Sequence, residues 1–184
     1  MTGPEIQTGR LRLAPLRAAD ASVFFEYRAN PEVRRYQSFE PRSVDDAEKF
    51  IGELQPVVFD TPDSWFQFGI RLQESDVLIG DLGVHFLAND SPQVEIGFTV
   101  APAHQGQGYG TEAVAGLLDH LFCVLRKHRV FASVDPRNEP SVALLERVGM
   151  RKEAHFRKSL WFKGEWVDDI VFGILRAEWM EHHA

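Results

Sequence analysis

The sequence predicts an α/β (α+β) fold around a mixed, mostly antiparallel seven-stranded sheet, with elements in the order β-α-α-β-β-β-α-β-α-β-β. Short polar breaks between three consecutive strands predict antiparallel hairpins, because parallel strands need longer crossovers. One long amphipathic helix between two later strands predicts a single parallel step. The 184 residues, 44% of them hydrophobic, are expected to form one domain over residues 1–184.

The first elements are a strand and two helices. Leucines alternate almost regularly with polar residues over residues 10–16, as in a half-buried strand. Asp20 is expected to cap a helix that ends at Asn30, before a proline. Ser43 begins a second helix through a sequence that resembles a capping box, with Asp46 in place of the usual Glu.

The middle of the chain carries the three consecutive strands. They are expected at residues 65–72, 77–87 and 94–100, separated by polar breaks at 73–76 and 89–92. Neither break is long enough for a crossover helix. The three strands are therefore expected to form a meander.

The clearest helix follows Gly110, since apolar residues recur at helical spacing over residues 114–125. A strand at 129–134 comes next. Asn138 then caps a short helix that ends at Gly149, a residue suited to the left-handed conformation. The last elements are strands at about 152–162 and 166–175, a turn at 163–165 between them and a short helix at 176–181.

Composition argues against several classes of protein. A single cysteine, Cys123, forms no internal disulfide and offers no zinc-type spacing, so a cytoplasmic location is expected; its place beside the helix stripe predicts burial. The chain shows no signal peptide and no apolar stretch long enough for a membrane. The net charge of −7 argues against nucleic acid as a partner and mildly favours a cationic acceptor such as an amine.

The strongest functional signal is the loop 105–110, Gln-Gly-Gln-Gly-Tyr-Gly, between a strand and the long helix. The first turn of a helix has N–H groups without intrahelical partners, and the helix dipole adds positive charge there. Gly106, Gly108 and Gly110 allow the backbone to approach an anion closely and to adopt positive φ. The loop therefore predicts a pyrophosphate site, whereas a simple tight turn would need only one glycine.

Two other phosphate-binding motifs fit this loop less well. A P-loop needs a lysine after its last glycine, where this chain has Thr111. A dinucleotide fold needs Gly-x-Gly-x-x-Gly after the first strand of a parallel array. The spacing here differs, but Asp135 at the end of the next strand could contact a ribose, so a nicotinamide-dependent oxidoreductase stays open as an alternative.

The loop and its surroundings resemble the GNAT superfamily of N-acetyltransferases. Residues 105–110 match its acetyl-CoA signature, Gln/Arg-x-x-Gly-x-Gly/Ala, and residues 8–180 are similar to its RimJ/RimL-like branch of ribosomal-protein N-terminal acetyltransferases. Met150 departs from the usual Phe. The other segments that carry the resemblance are Asn30-Pro31-Glu32-Val33, Val94-Glu95-Ile96-Gly97-Phe98, Gly110-Thr111-Glu112-Ala113, Asn138-Glu139-Pro140-Ser141, Gly149-Met150 and Trp166-Val167-Asp168.

The resemblance implies a GNAT-like sheet that is splayed by a bulge in the strand before the loop, with acetyl-CoA (coenzyme A) in the gap. The arm of the cofactor would pair with exposed backbone of that strand, and its pyrophosphate would lie on the loop. The cofactor-binding residues carried over in this way are Phe98, Thr99, Val100, Gln105, Gly106, Gln107, Gly108, Tyr109, Gly110, Thr111 and Asn138.

Acetyl transfer to an amine requires a base, because most primary amines are protonated near pH 7. Glu95 is our candidate base, since strand alternation places it with Gly97 on the face opposite the apolar residues. The Val100 N–H is the candidate oxyanion donor. Ser141 is the candidate that returns a proton to the leaving thiolate, although local bonding in the first helical turn would also explain a serine there.

The acceptor pocket is less well defined by the sequence. By resemblance, the segment with Arg34, Tyr36 and Phe39 overhangs it, and His85 could line it from the neighbouring strand. The acceptor could be a protein N-terminus, which the resemblance favours, or a polyamine, an amino acid or an antibiotic. A non-catalytic acyl-CoA-binding sensor is a further alternative, and the resemblance is compatible with a homodimer through the C-terminal strands.

Overall fold

The computed structural model describes residues 1–88 and 91–182, and its centre is a single mixed sheet. The strands lie in the order β1-β2-β3-β4-β5-β6-β8-β7, and only β5 and β6 are parallel neighbours. The predicted sheet is confirmed, with the two-residue β1 added at its edge. The strands are β1 (Ile6–Gln7), β2 (Leu11–Pro15), β3 (Ser64–Leu72), β4 (Leu78–Phe86), β5 (Gln93–Val100), β6 (Arg129–Val134), β7 (Arg151–Phe162) and β8 (Glu165–Leu175).

Six α-helices accompany the sheet in the described residues. They are α1 (Ala21–Arg28), α2 (Pro31–Arg34), α3 (Val44–Leu54), α4 (Tyr109–Asp119), α5 (Glu139–Arg147) and α6 (Arg176–His182). The short α2 was not predicted: the Asn30 side chain accepts a hydrogen bond from the Glu32 N–H at 2.9 Å and so begins this helix. Beyond α4, a π-helical turn continues to Val124.

The predicted caps are confirmed for α3 and α5 but not for α1. Ser43 Oγ accepts the Asp46 N–H at 3.1 Å, and Asn138 Oδ1 accepts the Ser141 N–H at 3.4 Å. Asp20 makes no capping bond to α1. Its carboxylate instead accepts the Arg17 N–H at 2.7 Å and pairs with the Arg71 guanidinium, because a buried cation requires a counter-charge.

The main core lies between the sheet and α4. The residues that α4 and its π-helical turn bury there are Ala113, Val114, Leu117, Leu118, Leu121 and Phe122. Cys123 is exposed, so the prediction that it is buried was wrong. It follows the buried stripe by one position, and a helix turns about 100° per residue, so the side chain leaves the sheet.

The sheet is splayed between its two parallel strands. β5 pairs with β6 only at the three residues 93–95. The two strands then continue to Val100 and Val134 without pairing with each other. The expected gap is therefore present. The pairing of β5 with β4 is regular over residues 94–100, and the register shift on this side of the sheet lies instead between β3 and β4 at Ile70.

Some expectations concern parts that the structure does not describe. Asn89 and Asp90, in the second predicted polar break, lie outside the described residues. Within residues 1–88 and 91–182, no helix is both long and apolar enough to cross a bilayer. The homodimer stays a prediction.

Candidate active site

The edge of β5 that faces the gap carries unpaired backbone groups. Ala101 donates its N–H to the Ile79 carbonyl at 2.8 Å, so the odd-numbered residues of β5 bond toward β4. In an antiparallel ladder the direction alternates, and the even-numbered residues therefore face the gap. Phe98 and Val100 accordingly present their N–H groups there, whereas the backbone of Thr99 is turned toward β4.

The glycine loop lies at the end of this open edge. Gly106 and Gly108 have φ of +73° and +81°, and a Cβ at Gly106 would meet no atom within 4 Å. At Gly110 a Cβ would lie 2.8 Å from a Leu144 methyl and 3.3 Å from a Val100 methyl, so the missing side chain lets α4 approach β5 and α5. The loop is exposed and its backbone approachable, which fits the predicted pyrophosphate.

Arg10 supports this loop, although the sequence reasoning missed it. Its Nη1 donates to the Gln107 carbonyl at 3.1 Å, and its guanidinium lies 4.5 Å from the centroid of the Tyr109 ring. Its Nε donates to Glu112 Oε2 at 2.6 Å. Partial burial raises the pKa of Glu112, but hydrogen bonds from Thr8 and Arg10 outweigh it and keep that pKa below its usual value. The loop is thus bonded to a cation that remains half-exposed.

Between β5 and β6 the gap widens into a cleft of about 270 Å³. The cleft brings together residues from the loop after α2, from the five strands β3, β5, β6, β7 and β8, and from α5. The predicted site residues that line it are Tyr36, Glu95, Phe98, Asn138 and Ser141. A Cβ at Gly97 would meet nothing within 4 Å, so Gly97 leaves the floor of the cleft clear beside Glu95.

The predicted acceptor-side residues have different positions. The Tyr36 hydroxyl donates to the Arg137 carbonyl at 3.0 Å and joins the segment after α2 to the far wall of the cleft. Arg34 contacts the Lys163 ammonium through its carbonyl oxygen. Phe39 stacks on Phe50 with ring centroids 4.2 Å apart, inside an aromatic cluster away from the residues that line the cleft.

Carboxylates dominate the charge of the cleft, and two of them, Asp135 and Asp168, are paired with basic side chains. Partial burial raises the pKa of Asp135, but hydrogen bonds from Arg137 bring it below its usual value. The pKa of Asp168 is lowered by a bond from the Lys158 N–H and a contact with His155. Asp135 is bonded to Arg137, so it no longer supports the alternative in which it contacts the ribose of a dinucleotide.

Two further carboxylates, Glu95 and Asp169, have no Arg or Lys partner among the described residues. Asp169 accepts a hydrogen bond from Ser133 Oγ at 2.6 Å. His85, from β4, lies beside Glu95, with Nδ1 3.5 Å from Glu95 Oε2. Such a cleft suits a cationic ligand, and Glu95 is placed to accept a proton from it.

The sequence matches known proteins over most of its length. Residues 10–151 match the family described as an Acetyltransferase (GNAT) domain. An uncharacterized N-acetyltransferase p20 of Bacillus licheniformis is 31% identical over 175 residues, covering 95% of this chain and 97% of the relative. The [Ribosomal protein uS5]-alanine N-acetyltransferase of Escherichia coli is 27% identical, over 63% of this chain and 60% of that protein. The spermidine N(1)-acetyltransferase of Vibrio cholerae is 28% identical, over 47% of this chain and 50% of that protein.

Solved structures share the fold. A GNAT-family acetyltransferase from Bacillus anthracis superposes with a TM-score of 0.86 at 26% identity, over 95% of this chain and all of that one. Mycobacterium smegmatis RimJ in complex with CoA-disulfide has a TM-score of 0.81 at 25% identity, over 95% of this chain and 87% of that one. The splayed sheet, the glycine loop and the cleft therefore occur on a scaffold that is known to carry coenzyme A.

Proposed function

Since the chain belongs to the GNAT acetyltransferase family and is an acetyl-CoA-dependent N-acetyltransferase, we propose that it acetylates the α-amine of a protein N-terminus by direct attack in a ternary complex. The observation that carries the proposal is the Glu95 carboxylate, which lines the cleft beside the open edge of β5 and has no Arg or Lys partner among the described residues. An α-ammonium entering the cleft would supply the missing cation.

The rim of the cleft favours a peptide over a simple amine. Leu160 lines it with 46% of its surface exposed, and Tyr36, Trp65 and Phe162 add aromatic surface. Apolar side chains at the mouth of an open cleft suit the first side chains of a peptide, which bury surface there. The RimJ structure and the ribosomal-protein relative support placing the chain in the RimJ/RimL-like branch.

A polyamine is the second candidate, favoured by one observation. Asp169 is a second carboxylate in the same cleft without an Arg or Lys partner among the described residues. An acceptor with two ammonium groups could be bound by Glu95 and Asp169 together. The spermidine acetyltransferase among the relatives supports this alternative.

When bound, acetyl-CoA supplies an acetyl group activated as a thioester. The gap edge of β5 would hold its arm through the backbone of Phe98 and Val100, with Asn138 opposite. Residues 105–111 would hold the pyrophosphate through backbone N–H groups at the start of α4. These assignments come from the resemblance, and the open backbone and the positive φ of the two loop glycines support them.

Three groups would carry the chemistry. Glu95 takes a proton from the ammonium, directly or through one water, and leaves a neutral amine with a free electron pair. The Val100 N–H faces the gap, where it can stabilise negative charge on the carbonyl oxygen. Ser141 lines the cleft from the first turn of α5 and can donate its hydroxyl proton to the leaving sulfur.

The test is release of free thiol from acetyl-CoA across a matched panel of amines. The panel contains peptides with a free N-terminus, the same peptides with a blocked N-terminus and an internal lysine, spermidine, spermine and an aminoglycoside. We expect turnover with free N-termini and none with blocked ones, and mass spectrometry should place the acetyl group on the α-amine. Turnover with polyamines alone would replace the proposal by the second candidate.

A panel without any acetylated amine would contradict the proposed acceptors altogether. Thermal shifts with acetyl-CoA, CoA and NAD(H) supply the control, because a ligand that binds only the folded chain raises Tm. Stabilisation by acetyl-CoA without acetyl transfer would point to the non-catalytic sensor.

A further inference from the structure

One imidazole, that of His85, lies directly beside the Glu95 carboxylate. The two residues face each other across the antiparallel pair of β4 and β5, with His85 Nδ1 3.5 Å from Glu95 Oε2. Nδ1 is buried and has no hydrogen-bond partner in the described part of the chain. A buried polar atom without a partner costs free energy, so its position next to a carboxylate requires a reason.

The plane of this imidazole is set from the opposite side by Trp65. Trp65 faces His85 on β3, and the two rings are stacked, with centroids 4.7 Å apart and planes 8° from parallel. Rotation of the imidazole about its Cβ–Cγ bond by anything other than a half-turn would break this stacking, so Trp65 fixes the plane of the ring. In this structure the edge that carries Nδ1 faces Glu95 on β5, and the row Trp65–His85–Glu95 crosses three strands up to the cleft.

We propose that His85 is a positioning residue for acetyl transfer: its Nδ1–H holds the Glu95 carboxylate toward the acceptor amine, and Trp65 holds the ring. The inference rests on the proposed role of Glu95 as the base. In the step it supports, an ammonium N–H bond breaks and a Glu95 O–H bond forms, while His85 keeps its own proton. A carboxylate held in one orientation spends more time in reactive geometry.

Two substitutions of His85 separate this role from a structural one. His85→Ala removes both the donor and the stacked ring, whereas His85→Asn keeps an N–H donor near the position of Nδ1 and loses the ring. We expect His85→Ala to lower kcat roughly tenfold to a hundredfold with the KM for acetyl-CoA within about twofold, and His85→Asn to recover most of kcat. His128→Asn, an exposed histidine in the turn before β6, is the matched control and should behave as wild type.

A double-mutant cycle tests whether His85 acts through Glu95. If it does, adding His85→Ala to Glu95→Gln should change kcat by less than about twofold, because the group that His85 positions has already lost its function. If instead the fold-loss of kcat in the double mutant equals the product of the fold-losses in the two single mutants, the residues act independently and the proposal is overturned. Wild-type kcat in His85→Ala would overturn it as well.

A measurement without turnover separates this inference from the proposed function. In the full chain with ¹⁵N-labelled histidine at about pH 8.5, where an ordinary imidazole is neutral, His85 should carry its proton on Nδ1. Glu95→Ala should shift that proton to Nε2, the tautomer that a free imidazole favours. An Nε2–H tautomer in the wild type would refute the positioning role even if the enzyme is active. If no amine is acetylated, the proposed function fails, and the tautomer still decides the His85 contact.

Discussion

Arg10 and Glu112 form a contact that joins the turn before β2 to the helix of the glycine loop. The Arg10 Nε donates to Glu112 Oε2 at 2.6 Å, and the Arg10 backbone N–H donates to Oε1 at 2.7 Å. The same guanidinium reaches the carbonyl of Gln107, 97 positions away in the chain, at 3.1 Å. The proposed pyrophosphate site is therefore bonded to a residue from near the start of the sequence.

The first prediction concerns Arg10. Arg10→Ala should raise the KM for acetyl-CoA about tenfold, since charge-assisted bonds of this kind contribute roughly 1.5–3 kcal/mol. The kcat should change less, because Arg10 lies at the loop and not among the residues that line the cleft. Arg12→Ala, two positions further on in β2 but paired with Glu5 and Asp76, is the control and should leave KM unchanged. Equal KM values in the two variants would exclude a role for Arg10 in holding the loop.

The second prediction concerns Gly110. Gly110→Ala places a methyl 2.8 Å from Leu144 Cδ1 and 3.3 Å from Val100 Cγ2, so the Leu144 side chain must change rotamer or the helices must move. We expect a loss of about 1–3 kcal/mol in the free energy of unfolding and weaker binding of acetyl-CoA, measured by denaturant titration and calorimetry. In Gly52→Ala the new methyl meets nothing within 4 Å, and this α3 variant should gain up to about 1 kcal/mol. A Gly110→Ala protein as stable as wild type would remove the close-approach argument.

The third prediction concerns the pH dependence of Glu95→Gln. At pH 7 its kcat should fall by roughly 10²–10⁴, because the acceptor arrives as an ammonium. The deficit should shrink above about pH 9, since an α-amine with a pKa near 8 is then already neutral. Glu74→Gln, in the exposed turn between β3 and β4, is the control. A deficit that stays constant from pH 7 to 9.5 would contradict the role as a base.

The fourth prediction concerns Ser141. Asn138 caps α5 by accepting the Ser141 backbone N–H, so Ser141→Ala should leave Tm nearly unchanged. The kcat should nevertheless fall roughly tenfold to a hundredfold if the hydroxyl returns the proton to the thiolate. Ser159→Ala, an exposed serine of β7, serves as the matched control. Wild-type kcat in Ser141→Ala would rule the serine out, and a large drop in Tm would indicate a structural role.

The fifth prediction concerns stability at alkaline pH. Burial raises the pKa of Tyr27 well above its usual value, and the Asp81 carboxylate, 2.7 Å from the hydroxyl, adds to the effect. A pKa raised by folding contributes stability that is complete below the unfolded pKa of about 10 and is lost as pH rises through the folded one. Tyr27→Phe should lose about 1–2 kcal/mol at pH 7 and show a shallower decline between pH 9 and 11 than wild type. Parallel declines would contradict this assignment.

Much of the fold was predictable because its signals are local. The caps at Ser43 and Asn138 and the left-handed Gly149 follow from hydrogen bonds or φ preferences within a few residues. Local signals were misleading where a distant charge intervened. The sequence predicts that Asp20 caps a helix, but in the structure it pairs with the buried Arg71. No spacing rule links these two residues.

The sequence by itself determined the family, the glycine loop and the face of β5 that carries Glu95, because each depends on glycine positions or on strand alternation within one segment. Only the tertiary structure decided which side chains surround that loop and that carboxylate. Arg10 reaches the loop, and Trp65 and His85 reach Glu95, through pairings of strands that are distant in sequence. Such neighbours are set by sheet register and packing, which no local pattern encodes.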